Sequence, residues 1–341
     1  MTKFGMTVTE HILSQQRKHP EATGSFTIIL SELIVAAKII STEVRKAGLA
    51  DILGFTGEIN VQGEEVKKLD DFAHHTIVKR MSHIGELCAL VSEESADIIE
   101  IPSRFEKGNY ILIFDPIDGS SNIEANINIG TIFSIHKKVN QGDIVTSADV
   151  LQPGSKQVAA GYFIYGTSTM MVYTTGNGIN GFTLFPSIGE FLLSHENIRM
   201  PEKGEIFSVN MGYKGYWDDH VRDAVEYFNQ VDSQKGLPYS LRYVGSLVAD
   251  FHRTLIKGGI FMYPQDRKDP KKPHGKLRLL CECAPLAMIA TQAGGLATDG
   301  HNDILNIDPQ ELHQRVPLFI GSKEDVTTAM AIMNDRKEIS N

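Results

Sequence analysis

A chain of 341 residues, 42% hydrophobic and 22% charged, is ordinary globular material long enough for two domains and a large core. Its net charge of -9, with basic residues dispersed apart from Arg267-Lys-Asp-Pro-Lys-Lys-Pro-His274, excludes the footprint of a nonspecific nucleic-acid binder. Three cysteines, Cys88, Cys281 and Cys283, exclude a disulfide framework; no apolar run of 18 residues is read as a membrane span, and no signal-peptide core opens the chain, so a soluble cytoplasmic protein with reduced thiols is expected.

Residues 7–19 and 27–47 carry helical periodicity. In the second, Ile28, Ile29, Leu33, Val35, Ala36, Ile39 and Ile40 form an apolar face, with Thr27 suited to cap its start and Gly48 its end. Pro20-Glu-Ala-Thr-Gly-Ser25 between them lies at a helix N-terminus, where anions are favoured, although composition alone reads it as a plain turn. Leu49 to Gly63 has no sustained period and is expected to be a mobile loop. Residues 64–82 return to helix, with Val66, Leu69, Ala73 and Ile77 inward and Asp70 beside that stripe.

Leu87 to Ser92 reads as a strand ending in Glu93-Glu94. Tyr110 to Phe114 reads as a buried strand, because it is short, apolar and closed by Pro116 and Gly119. Asp115 then stands where the strand runs out, a place that in open α/β sheets faces a crevice. Asp118 can turn back toward the same point, Gly119 permits close backbone approach, and Ser120 and Ser121 offer donors to phosphate oxygens. Taken alone, a strand-to-turn boundary explains these residues about as well.

Beyond Asn122 the stretches 129–139, 158–166, 168–175 and 181–185 read as strands. Gly176-Asn-Gly-Ile-Asn-Gly181 matches the dinucleotide pattern in form only: it joins two strands and opens no helix, so it is a hairpin turn. From about residue 200 the order is strand 205–210, helices 218–231 and 245–257, strands 259–264 and 277–281, helix 283–293, strand 317–321 and helix 323–334. The expectation is an α/β protein of layered helices and sheets, divided into an N-terminal unit, 1–200, and a C-terminal unit, 201–341, that pack closely.

The candidate acids are Glu64, Asp70, Glu93, Glu94, Asp115, Asp118 and the distant Glu282. Carboxylates brought to about 4 Å repel by roughly 4 kcal/mol at an effective dielectric near 20, so convergence demands protonation or cations. Hard oxygens without a His or Cys cluster select magnesium, with manganese as the alternative. There is no GxxxxGK[ST] loop and no GxSxG elbow, and the aspartates are spaced D-x-x-D, where an aspartyl-phosphate enzyme would show D-x-D. Metal-assisted hydrolysis of a phosphate ester, without a covalent intermediate, is the chemistry these residues imply.

Ser92-Glu-Glu94 and Asp115-Pro-Ile-Asp-Gly-Ser120 resemble the lithium-sensitive, magnesium-dependent sugar phosphatase superfamily. Within it, the chain resembles class 1 fructose-1,6-bisphosphatase over nearly its whole length, through segments such as Val66-Lys-Lys-Leu-Asp70, Gly130-Thr-Ile-Phe133, Arg242-Tyr-Val-Gly-Ser246, Val248-Ala-Asp250 and Gly275-Lys-Leu-Arg-Leu-Leu280. The resemblance implies an αβαβα sandwich, release of the 1-phosphate of fructose 1,6-bisphosphate, regulatory N-terminal helices, a mobile loop at 49–68 and a homotetramer. It implies metal ligation by Glu93, Glu94, Asp115, the Ile117 carbonyl, Asp118 and Glu282, with Asp70 and Glu94 activating water. Glu64 stands where an aspartate is usual. The 1-phosphate would rest on Gly119, Ser120, Ser121 and Arg278, beside Asp118; Asn210, Tyr213, Tyr243, Phe261, Met262, Tyr263 and Lys276 would hold the sugar and its 6-phosphate, and Arg242 would reach a neighbouring subunit's site. Thr23, Gly24, Thr27 and Tyr110 match an AMP effector pocket, but Ser25 replaces a glutamate there and Asn109 replaces the lysine that grips the AMP phosphate.

Three other readings compete with this one. Inositol monophosphatases carry a late Trp-Asp-x-Ala-Ala segment that Trp217-Asp-Asp-His does not match. Sedoheptulose 1,7-bisphosphate is a substrate one carbon longer, which kinetics must separate. A noncatalytic sugar-phosphate sensor would not need the water-activating pair Asp70 and Glu94.

Overall fold

The helix expected over 27–47 forms as α2, Ser25–Val44, behind α1, Val8–Gln16, in the computed structural model, which describes residues 5–16, 24–46, 55–59, 65–142, 144–268 and 275–335. Thr23, Gly48 and Glu64, with most of the loop expected at 49–68, lie outside the described residues. The inner face of α2 is Ile29, Leu30, Leu33, Ile34, Ala37 and Ile40, whereas Ile28 and Ile39 are 42% and 37% exposed. The run is apolar nearly all round, so period alone does not choose the face. Nor does Thr27 cap the helix: Gly24, at φ 87°, precedes it, and Thr27 Oγ1 donates to Gln16 Oε1 at 2.9 Å. By length and composition α2 would also suffice to cross a membrane, contrary to the reading that no such run exists. It is a core helix, packed with Leu69, Ala73 and Ile77.

The segment after α2 is not wholly irregular. β1, Phe55–Ile59, pairs antiparallel with β2, Glu65–Lys67, so the helix expected from residue 64 begins only at α3, Lys68–Met81, and Val66 belongs to a strand. β3, Leu87–Ser92, is followed by a short β4, Ile99–Glu100, then β5, Tyr110–Asp118, and β6, Ile129–Lys137. After α4, Ser147–Val150, come β7, Gln157–Tyr165, β8, Thr169–Thr174, β9, Asn180–Phe185, and an unanticipated β10, Glu190–His195. Residues 175–179 join β8 to its antiparallel neighbour β9, as the hairpin reading requires. The eight strands run in the order β10-β9-β8-β7-β6-β5-β3-β4, antiparallel except for the parallel pair β3 and β5.

The second half supplies β11, Ile206–Ser208, α5, Asp219–Asn229, β12, Ser240–Leu241, α6, Leu247–Lys257, and β13, Ile260–Tyr263. It continues with α7, Ala284–Gln292, β14, Leu296–Thr298, β15, Leu318–Gly321, and α8, Lys323–Asp335. The strand expected at 277–281 does not form. Leu279–Cys283 is a π-helical turn leading into α7, because a short, fully buried apolar run looks the same in a strand and in a buried helix.

Period 2 along the strands sorts side chains between the layers. Phe133, Phe163 and Tyr165 face α1, α2 and α3. Ile132, Tyr162 and Ile164, on the opposite face, pack with Phe251 of α6, Leu286 of α7, and Phe261 and Ile320 from the five-stranded sheet β12-β11-β13-β15-β14. The far face of that sheet, with Phe207, Ile260 and Phe319, is covered by Phe228 of α5 and Val326 of α8. Helices, sheet, helices, sheet and helices follow in that order, and the layered α/β sandwich is the fold.

Candidate active site

The parallel pairing of β3 and β5 puts Ser92 opposite Phe114, so the residues that follow stand side by side, Glu93 just past β3 and Asp115 still paired with Ile132 of β6. Glu93 N–H donates to the Phe114 carbonyl at 3.0 Å. β5 runs to Asp118, four residues past its expected end, with its register against β6 shifted between Asp115 and Asp118. Thr131 Oγ1 holds this irregularity by donating to the Pro116 carbonyl at 2.8 Å. Gly119 turns the chain at φ 81°, and a Cβ there would lie 2.6 Å from Ser246 Cβ, so no other residue fits the turn unstrained.

Opposite this corner, the π-helical turn carries Glu282 inward. Carboxylate oxygens of Asp115, Asp118 and Glu282 lie within 4.8 Å of one another, all three residues buried. Asp118 is held from behind by α6: Ser246 Oγ donates at 2.9 Å, Leu247 N–H at 3.2 Å and Val248 N–H at 2.7 Å. Arg278 Nη1 lies 2.6 Å from Glu93 Oε1 and 3.6 Å from Glu282 Oε2. Its Nε and Nη2 are buried donors without a hydrogen-bond acceptor among the described residues.

Such crowding has an electrostatic signature. Burial, reinforced by Glu93, Glu282 and Asp118, pushes Asp115 well above the usual carboxylate range. Burial lifts Glu93 to about 8 against the pull of Arg278, and lifts Asp118 to about 7 against the donors of α6. Glu282 is raised by burial in the same way. Asp70, on the first turn of α3, is pushed well above its usual range by burial and then by Glu94 and Glu93, so α3 delivers it to the same cluster. One of its oxygens is buried without a partner among the described residues. An all-oxygen donor set whose crowded negative charge Arg278 offsets only in part fits a hard divalent cation.

A cavity of about 470 Å³ opens in front of the acids. Its lining brings Glu93, Asp115, Ile117, Asp118, Gly119, Ser120, Ser121, Arg278 and Glu282 together with Asn210, Tyr213, Tyr243, Phe261, Tyr263 and Lys276. Met262 alternates to the far face of the sheet and lies buried against Phe207 and Phe228, so its side chain does not reach the cavity. Arg242 is exposed in a separate hollow with Lys203 and Lys257. Gly24, Thr27 and Tyr110 come together across the molecule in a further cavity of about 280 Å³, while Asn109 lines a different one with Lys107 and Lys138.

Two contributors escaped the sequence reading. Ser246 is the N-cap of α6, accepting from Ala249 N–H at 3.5 Å, and the expected helix at 245–257 ran over it. Asn122 Nδ2 donates to the Gly245 carbonyl at 3.1 Å, tying the turn after β5 to the loop that bears Tyr243. A serine immediately before the apolar period of 247–255 was a legible cap signal, while nothing local marked Asn122.

The sequence model described as "Fructose-1-6-bisphosphatase, N-terminal domain" matches residues 6–196, and that for the C-terminal domain matches residues 200–334. The chain is 60% identical over 333 residues to the class 1 fructose-1,6-bisphosphatase of Maridesulfovibrio salexigens, covering 97% of this chain and 98% of that one. It is 62% identical over 330 residues to that of Oleidesulfovibrio alaskensis, covering 96% and 98%. The crystal structure of Leishmania major fructose-1,6-bisphosphatase in holo form superposes with a TM-score of 0.89 at 38% identity, over 96% of this chain and 98% of that one. With both halves matched and the acid-lined cavity at their junction, the chain belongs to the class 1 fructose-1,6-bisphosphatase family.

Proposed function

We propose that the protein hydrolyses the 1-phosphate of fructose 1,6-bisphosphate, leaving fructose 6-phosphate and inorganic phosphate. The observation that carries this reading is the convergence of Asp115, Asp118 and Glu282 in a cavity that tyrosines and Lys276 also line. The acid-bearing part binds the reacting ester; the tyrosines and Lys276 orient the sugar and its distal phosphate.

Asp115, Asp118, Glu282 and Glu93 would hold divalent cations, magnesium or manganese, with Glu94 and the Ile117 carbonyl completing the shell. Bound there, such cations neutralise the ester's charge and acidify a water. Asp70 and Glu94, close enough that Glu94 helps raise the pKa of Asp70, would orient that water, Asp70 taking its proton. The open donors of Arg278 and the turn at Gly119, Ser120 and Ser121 receive the phosphate oxygens. Asn210, Tyr213, Tyr243, Tyr263 and Lys276 receive the sugar and 6-phosphate. Arg242, exposed and outside its own cavity, suits a role across a subunit interface in a cytoplasmic homo-oligomer.

Purified protein with magnesium is expected to release phosphate from fructose 1,6-bisphosphate and none from fructose 6-phosphate, with kcat/KM higher than for sedoheptulose 1,7-bisphosphate. Asp118→Ala is expected to lower kcat more than about 100-fold. No phosphate release with either magnesium or manganese across these esters would overturn the reading and favour a sensor.

A further inference from the structure

α3 also carries His74, one turn beyond Asp70. His74 Nδ1 lies 2.8 Å from Ser92 Oγ, and the imidazole stacks on the Phe114 ring with centroids 6.2 Å apart and planes at 27°. Ser92 and Phe114 are opposite one another in the parallel pair β3 and β5. Glu93 and Glu94 follow the first, and Asp115 follows the second. The Ser92 hydroxyl is fully buried and also accepts from Glu94 N–H at 3.3 Å. A hydroxyl has one proton and two lone pairs, so it can accept from Glu94 while donating to the imidazole. One side chain therefore touches the residue before Glu93-Glu94 and the residue before Asp115, and sits on the helix that brings Asp70.

We propose that His74 is a positioning residue: through the Ser92 hydroxyl and the Phe114 ring it sets the separation of Asp70 from Glu94 and Asp115, and so the alignment of the attacking water. This rests on the assignment of Asp70 and Glu94 to water activation. The two contacts act in different directions. The stack fixes how closely α3 lies on the sheet, and the hydrogen bond fixes its rotation and slide. The neighbouring His75 is exposed and pairs with Asp71 on its own helix, so it shares neither contact and is the natural control.

The test uses the full-length protein, three variants of the pair, their double variant and a His75→Asn control. His74→Phe keeps the stack and removes the hydrogen bond; Ser92→Ala removes the same bond from the other side; His74→Asn restores a polar partner. His74→Phe and Ser92→Ala are each expected to lower kcat about tenfold with KM for fructose 1,6-bisphosphate within about twofold, and the double variant to lose no more than either alone. His74→Asn, which keeps a polar partner for Ser92 but loses the stack, is expected to recover part of the loss, and His75→Asn to leave kcat unchanged. Titration of Mn2+ by electron spin resonance, without substrate, is expected to give severalfold weaker binding for His74→Phe, a readout that does not depend on the ester chosen. Losses that multiply in the double variant would overturn the proposal. So would kcat values within twofold of wild type, or a change confined to the unfolding midpoint. Should His74→Phe fail to fold, Ser92→Ala and His74→Asn decide on the same criteria; an inactive wild type would instead overturn the proposed reaction.

Discussion

Asp250 illustrates how a residue outside the cavity governs it. Buried in α6, it accepts from Val244 N–H at 3.0 Å and Gly245 N–H at 2.9 Å, and pairs with Arg253 Nη2 at 2.7 Å. The same Arg253 Nη2 donates to the Arg242 carbonyl at 2.8 Å. The loop bearing Arg242 and Tyr243 is thereby pinned to the helix whose first turn holds Asp118. Asp250→Ala is expected to raise KM for fructose 1,6-bisphosphate about tenfold while kcat falls less than about threefold, because the acids themselves stay in place. Steady-state kinetics separate the two; an unchanged KM would show that the loop keeps its shape without this carboxylate. Residue identities at the site were legible because carboxylates, glycines and hydroxyls are rare together at a strand end. Which of them meet was not: Phe261 and Met262 are adjacent apolar residues, and only the pleat sends one to the cavity and the other to the core.

At the scale of elements, the loop before β7 is organised by one carboxylate. Asp149, fully buried at α4, accepts from Val139 N–H at 3.1 Å, Asn140 N–H at 2.8 Å and Thr146 N–H at 2.9 Å. Burial raises its pKa, but the donors of Asn140 and Thr146 outweigh this and hold the carboxyl well below the usual range. Its contribution to stability is therefore present above the unfolded value near 3.9 and lost as pH falls through the lower folded value. Asp149→Asn is expected to cost about 2 kcal/mol at pH 6 in urea unfolding, with the gap to wild type closing below about pH 4. A gap independent of pH would mean that shape, not charge, organises the loop. The N-terminal helices make a second case. Among the described residues, the cavity of Gly24, Thr27 and Tyr110 has no lysine or arginine in its lining, so from those residues a nucleotide phosphate would meet only neutral donors. Millimolar AMP is expected to leave most of the phosphate release intact; inhibition at micromolar AMP would contradict this. Long periodic elements such as α5 and α8 were readable to within a residue or two, whereas the π-helical turn was not, since its buried run has no period to read.

Across the whole molecule, the division expected near residue 200 is crossed by the core: Tyr162 and Ile132 from the first unit pack with Phe251 and Leu286 from the second. We read 1–200 and 201–341 as two units that cannot be separated without exposing that layer. Arg242 supplies the test of assembly. Mixing Asp118→Ala subunits with Arg242→Ala subunits is expected to restore activity at low substrate that neither has alone, if each site borrows its neighbour's arginine; no recovery after verified subunit exchange would confine Arg242 to its own chain. The amino-acid sequence by itself determined the kind of chemistry, through oxygen ligands without a nucleophile motif, and the alternation of elements that makes a layered α/β sandwich. Only the tertiary structure decided that Glu282 meets Asp115 and Asp118, that Ser246 and the start of α6 hold Asp118, and that His74 spans two strand ends. The physical reason is range. Periodicity and turn chemistry act over a few residues, whereas strand register and the stacking of layers bring together side chains more than a hundred residues apart.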